Sequence, residues 1–143
     1  MPCSLTRRVT FAAAHRYRRP DWSDARNAEV FGACARPNYH GHSYACDVTV
    51  AGTIDEETGF VADLGVLDRV LREEVVERLD HANINLDVPE FADGRLIPSG
   101  ENLARWVHER VQRRLVELLG ARAPRVTRVT VAEDATLSAT YEP

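Results

Sequence analysis

The sequence has no lysine: all 18 of its basic residues are arginines. Schiff-base catalysis and a lysine-bearing phosphate loop are therefore excluded. Cysteine is scarce and odd in number (Cys3, Cys34, Cys46), which makes a poor disulfide framework. No stretch approaches the roughly 18 apolar residues of a membrane span, and the segment around Cys3 to Arg8 lacks an apolar signal core. A cytoplasmic protein with free thiols and no membrane partner is expected. An excess of positive charge is also missing. With 22 acidic residues the net charge is −4, which argues against a nucleic-acid partner bound through counterion release. There is no repeat, low-complexity tract or linker, so residues 1–143 read as one domain.

What is present is a clear change of hydrophobic period along the chain. Residues 5–14 read as a strand, with Val9, Phe11 and Ala13 on one parity. An irregular, arginine-rich stretch, 15–38, is too long for a simple turn, and loops of that length usually carry function. Residues 41–54 form a second strand with Tyr44, Cys46, Val48 and Val50 on one face. A hairpin turn at 55–59 and a short apolar run at 60–62 follow. Asp63 then caps a helix whose stripe is Leu64, Leu67, Leu71, Val75 and Leu79. After a loop over 80–98, Ser99 caps a second helix with Leu103, Val107, Val111, Leu115 and Leu118 buried, and Gly120 ends it. Two strands, 125–131 and 136–141, close the chain. The order strand, strand, helix, helix, strand, strand predicts an α+β domain: an antiparallel sheet with two helices on one face. Two open sheet edges point to edge-to-edge oligomerisation.

The chemistry gathers in the histidines. His40 and His42 flank Gly41 at the start of the second strand, so both imidazoles project to one face. His15 ends the first strand on the parity of Phe11 and Ala13. Three neutral nitrogens with a fourth position open is the arrangement of a catalytic zinc site; the competing reading is surface histidines by chance. Cys34 has three open roles: a fourth ligand closing a structural site, a nucleophile or base, or a buried bystander. Cys46 and Cys3 fit the bystander role better. A nearby dication and Arg36 would favour the Cys34 thiolate. Asp80 beside His81 can orient that imidazole, or can simply cap a turn. Glu133 breaks the apolar pattern at the end of its strand, as a solvated turn residue or a ligand anchor. His108 falls on the polar side of its helix and reads as surface.

In this order and spacing, several short segments resemble the 6-pyruvoyl-tetrahydropterin synthase family, which includes 6-carboxy-tetrahydropterin synthases of queuosine biosynthesis. They are Phe11-Ala12-Ala13-Ala14-His15, the stretch from Cys34 to Tyr44, Thr58-Gly59-Phe60-Val61-Ala62-Asp63-Leu64, Leu79-Asp80-His81, Pro98-Ser99-Gly100-Glu101-Asn102-Leu103-Ala104, and the strand ending in Glu133. The resemblance implies a tunnelling fold, with trimers joined into a barrel and stacked as a homohexamer. It implies Zn2+ held by His15, His40 and His42, polarising side-chain oxygens of 7,8-dihydroneopterin triphosphate. Cys34 matches the proton-abstracting base and His81 its relay partner, oriented by Asp80 and supplied in the assembled site by a neighbouring subunit. Glu133 matches the carboxylate that anchors the pterin, and Ser99 and Glu101 fall in the substrate-binding segment. The product would be 6-pyruvoyl-tetrahydropterin, or 6-carboxy-tetrahydropterin with release of acetaldehyde, serving tetrahydrobiopterin-type or queuosine biosynthesis. No nicotinamide or flavin fingerprint is present. Three positions depart from the family pattern: Tyr39 where glycine is common, Gly100 in place of a hydroxyl residue, and Ala62 where larger apolar residues are usual. Five residues between Cys34 and His40 resemble the pyruvoyl-type spacing. An aldolase-like cleavage of a dihydropterin side chain and a structural zinc protein are the alternatives.

Overall fold

Two long strands set the frame of the computed structural model, which describes residues 2–143; Met1 lies outside the described residues. Strand β1 (Pro2–His15) and β2 (His40–Thr53) pair antiparallel along their whole length, from Pro2 opposite Thr53 to His15 opposite His40. The period-2 pattern sends Phe11, Ala13 and His15 to the same face as Tyr44, Cys46, Val48 and Val50, all buried. On that face the Phe11 and Tyr44 rings stack at 4.8 Å. The opposite face carries exposed polar pairs such as Thr6–Thr49 and Arg8–Asp47. Strand β4 (Arg125–Ala132) pairs antiparallel with β2 through an irregularity at Thr49/Val50, and β5 (Ser138–Tyr141) pairs antiparallel with β4.

The sheet departs from the expected all-antiparallel form. A two-residue strand β3 (Ala82–Asn83) runs parallel to β1, giving a mixed five-stranded sheet of order β3-β1-β2-β4-β5. The cause is local. The Ala12 amide donates to Asp80 Oδ1 at 2.9 Å, and the His81 amide donates to the Ala12 carbonyl at 2.6 Å. The chain leaving its helix is thereby captured along the open edge of β1.

Helices cover one face of the sheet. Asp63 caps α2 (Leu64–Leu71) by accepting from the Val66 amide at 3.1 Å. The helix runs on through a wider turn (Arg72–Val76) into α3 (Glu77–Leu79). Its buried stripe is Leu67, Val70, Leu71, Val75 and Leu79; Leu64, expected inside, is 40% exposed because it precedes the turn that meets the sheet. Ser99 caps α5 (Gly100–Leu119), which buries Leu103, Val107, Val111 and Leu115 and stops at Gly120. Each such side chain contributes about 1.5–3 kcal/mol of burial. The stretch expected as loop over 80–98 also folds a short α4 (Ile84–Asp87), capped by Asn83. His108 is not a free surface group: its Nε2 lies 3.0 Å from the Val126 carbonyl and its ring meets Tyr141.

The region expected to be irregular contains α1 (Asp24–Phe31) and a tight turn over Gly32–Ala35. Ser23 caps α1, and buried Asn27 holds the chain before it, donating to the Arg19 and Ser23 carbonyls while accepting from the Arg19 amide. Trp22 stacks on Phe31 and lies under the Arg26 guanidinium. This segment owes its order to polar clamps and one aromatic cluster rather than to an apolar stripe. Residues 60–62 form no strand.

Candidate active site

The β1–β2 ladder brings three imidazoles together. His15 faces His40 across the strands and Ala13 faces His42, so ring centroids lie 4.6 Å (His15–His40), 5.1 Å (His15–His42) and 5.0 Å (His40–His42) apart. One nitrogen from each falls within 4.8 Å of the others. Gly41 permits this: a Cβ there would sit 3.2 Å from the Ala13 carbonyl oxygen. His15 is fully buried; its Nδ1 is 2.8 Å from the Pro98 carbonyl, and its Nε2, 3.4 Å from the Tyr44 hydroxyl, is the nitrogen toward Glu133. Burial above all, then the two neighbouring imidazoles, lowers the His15 pKa from 6.5 to about 4 although the Pro98 bond opposes this. Burial likewise lowers that of His40.

His42 Nε2 is buried and has no hydrogen-bond partner among the described residues. An orphaned nitrogen of this kind is costly unless something binds it. Three imidazoles with one nitrogen each within 4.8 Å of the others, one of those nitrogens unmet, fit a divalent transition metal. Cys34 does not belong to this compact group, so the structure does not support its closing a fourth ligand position.

Beside the cluster lies a cavity of about 510 Å³. Apolar side chains such as Phe31, Ile97 and Leu137 line much of it, together with Tyr17, Cys34, Ser99, Glu101 and Glu133. Glu133 directly follows β4, and its side chain is 9% exposed; its carboxylate lies 3.6 Å from His42 Nε2 and 4.0 Å from His15 Nε2. The Tyr17 hydroxyl donates to Glu133 Oε1 at 2.9 Å. Glu101, in the first turn of α5, is exposed and forms no ion pair among the described residues. The Ser99 hydroxyl is engaged as a cap, accepting from the Asn102 amide at 3.2 Å. Gly100 packs against β5, where a Cβ would meet that of Ala139 at 3.2 Å.

Cys34 sits in the tight turn after α1, partly buried. Burial first, then the Glu133 carboxylate, pushes its thiol up. Of the two groups expected to favour the thiolate, a nearby dication and Arg36, the second contributes nothing here: Arg36 is exposed and does not line the cavity. Tyr17 escaped the sequence reading. The available signal was the continuation of the β1 parity, Phe11, Ala13, His15, Tyr17, beyond the end of the strand.

Asp80 and His81 form the expected pair, His81 Nδ1 to Asp80 Oδ2 at 2.9 Å. The Ala12 amide, then His81, holds the Asp80 carboxyl below the usual carboxylate range. Within one chain, however, the pair does not line the Cys34 cavity. His81 is 85% exposed and borders a different depression, between α3 and the segment around Val88 and Glu90. Its backbone is left-handed, φ 59°, a conformation a non-glycine residue adopts at a cost.

Fold and site together define a class: an α+β domain with a three-histidine cluster built across a strand pair and a ligand-sized cavity at its side. The family model for 6-pyruvoyl tetrahydropterin synthase matches residues 4–143, and the chain belongs to that family. It is 45% identical over 118 residues to 6-pyruvoyl tetrahydrobiopterin synthase of Drosophila melanogaster, covering 80% of this chain and 68% of that protein. The structure of Caenorhabditis elegans 6-pyruvoyl tetrahydropterin synthase superposes with a TM-score of 0.88 at 30% identity, over 100% of this chain and 96% of that one. The dihydroneopterin monophosphate aldolase of Pyrococcus furiosus is 30% identical over 115 residues, 80% of each chain.

Proposed function

We propose that the chain is a zinc-dependent lyase that converts 7,8-dihydroneopterin triphosphate to 6-pyruvoyl-tetrahydropterin with loss of triphosphate, acting as a homohexamer of two trimers. The observation that carries this is the single cavity that Cys34, Glu101 and Glu133 share beside the His15, His40 and His42 nitrogens. Zinc held by the three imidazoles would supply Lewis-acid polarisation of the substrate's side-chain oxygens. The flat apolar walls accept a fused ring. Glu101 is the cavity carboxylate not already held by another side chain, and it offers two acceptor oxygens to the amino and ring N–H donors of the pterin. Ser99 places the start of α5 at the same end. Glu133, expected from the resemblance to anchor the ring, is engaged by Tyr17 and turned toward the imidazoles, which suits it better to the side-chain end of the substrate.

Cys34 is the group to take up a proton from the carbon next to the polarised oxygens and to return it one carbon away. Its raised pKa favours the thiol at rest, so it must give up its own proton first. His81, with Asp80, suits that relay when a neighbouring copy brings its exposed pair to the mouth of the cavity.

Zinc-loaded protein incubated with dihydroneopterin triphosphate should release inorganic triphosphate and a tetrahydropterin. Absence of turnover would sink the proposal. Acetaldehyde among the products would assign the 6-carboxy reaction and a queuosine-type pathway instead. The Pyrococcus furiosus relative favours one further reading, aldolase-like cleavage, for which a side chain without the triphosphate would be turned over as well or better.

A further inference from the structure

Tyr17 joins three parts of the site. Its amide donates to the Cys34 carbonyl at 2.8 Å, its ring meets His15 edge-on at 5.0 Å, and its hydroxyl donates to Glu133 Oε1 at 2.9 Å. The residue is held firmly. Asn85 clamps the preceding peptide, accepting from the Arg16 amide at 2.9 Å and donating to the Arg16 carbonyl at 3.0 Å, and Phe31 packs on the Tyr17 ring at 5.9 Å. An aromatic side chain with two torsions, fixed at both ends, is a stiff strut.

The Tyr17 hydroxyl is the one hydrogen-bond donor to the Glu133 carboxylate among the described residues. The carboxylate meanwhile stands 3.6 Å and 4.0 Å from two of the imidazole nitrogens. The 3.6 Å between Glu133 Oε2 and His42 Nε2 is close to the separation of neighbouring ligands around one tetrahedral ion with bonds of about 2.0–2.2 Å. With Oε1 released from Tyr17, the carboxylate would be free to turn toward that position. The difference between a catalytic and a structural site of this type is whether that fourth position stays open.

We propose that Tyr17 is a positioning residue that holds Glu133 in the cavity and keeps it out of the coordination position beside His15 and His42. This rests on reading the histidine cluster as a metal site and the cavity as catalytic. Removing the hydroxyl frees the carboxylate to close the site.

The test compares Tyr17→Phe, which keeps the ring packing and the main-chain bond to Cys34, with Glu133→Gln and the double variant. Cobalt or zinc affinity of the metal-free protein is measured by chelator competition, the cobalt absorption spectrum is recorded, and turnover is followed separately. Tyr17→Phe should bind metal about tenfold more tightly, with an altered cobalt spectrum and lower kcat. Adding Glu133→Gln should cancel both the affinity gain and the spectral change. Unchanged affinity and spectrum in Tyr17→Phe, or changes that persist in the double variant, would overturn the proposal. The metal measurements need no substrate, so they stand even if the wild type fails to turn over dihydroneopterin triphosphate.

Discussion

The histidine–Glu133 cluster and the Asp80–His81 pair are both built against β1, yet they differ in every physical respect. The cluster is buried at His15 and half-buried at His40 and His42, is drawn from facing strands, and adjoins, through Glu133, a cavity that Cys34 and Glu101 also line. The pair hangs from the opposite edge of β1 in solvent, with its imidazole 85% exposed. Within one chain the three imidazoles stand together, whereas the Asp80–His81 pair lies outside the cavity that holds Cys34. On the proposed function, ion binding and chain association are separable requirements: a strand register would meet the first, and a second copy would have to bring its edge across to meet the second.

The largest effects should come from breaking the two halves separately. His42→Ala removes the nitrogen that has no partner within the protein; it should abolish metal binding and lower turnover by at least about a thousandfold. His81→Ala should lose turnover too, with full metal content by elemental analysis. Loss of metal in His81→Ala would collapse the distinction. Cys34→Ala should likewise keep the metal and lose turnover. Next, co-refolding inactive Cys34→Ala with inactive His81→Ala should restore activity, because some cavities would receive an intact thiol from one copy and an intact imidazole from the next. No recovery in well-mixed oligomers would place both residues in one chain's cavity.

A smaller effect concerns pH. A histidine whose pKa falls from 6.5 to about 4 on folding contributes its full share of stability above pH 6.5. As the pH drops toward 4 the unfolded chain gains a proton that the folded one refuses, and stability declines by about 3 kcal/mol. The His15 ring signal of the metal-free protein should titrate near pH 4 by NMR. A His15 midpoint above 6 would show that the cluster is open to water. The smallest effect on stability and metal content is expected of Asp80→Asn, which keeps an acceptor for the Ala12 amide: metal content unchanged and the melting temperature only slightly lower.

Much of the site was legible because its residues obey short-range rules. His40 and His42 on one face, His15 at the end of an alternating strand, and the caps Asp63 and Ser99 depend only on period and on side-chain chemistry. What was missed depends on long-range contacts. Helix α1 lacks an apolar stripe and stands on Asn27 and on the Trp22–Phe31 stack. Strand β3 is two residues long, too short for any period, and exists because Asp80 and His81 find the Ala12 peptide. The thiol of Cys34 was expected to be acidic from a nearby dication and from its sequence neighbour Arg36. Arg36 turns out exposed, while burial first and then Glu133, 99 positions away in the chain, push the metal-free thiol up.

The fourteen-residue ladder between β1 and β2 has an evolutionary consequence. The positions of His15, His40 and His42 are fixed by cross-strand hydrogen bonds and not by the length of the segment, residues 16–39, that joins them. That segment carries Tyr17, Phe31 and Cys34 and forms one wall of the cavity. It can lengthen, shorten or change its residues while the nitrogens stay in place. A lineage built on this ladder is free to reshape the cavity wall while the three nitrogens keep their places, and the two traits can be inherited, lost and engineered independently.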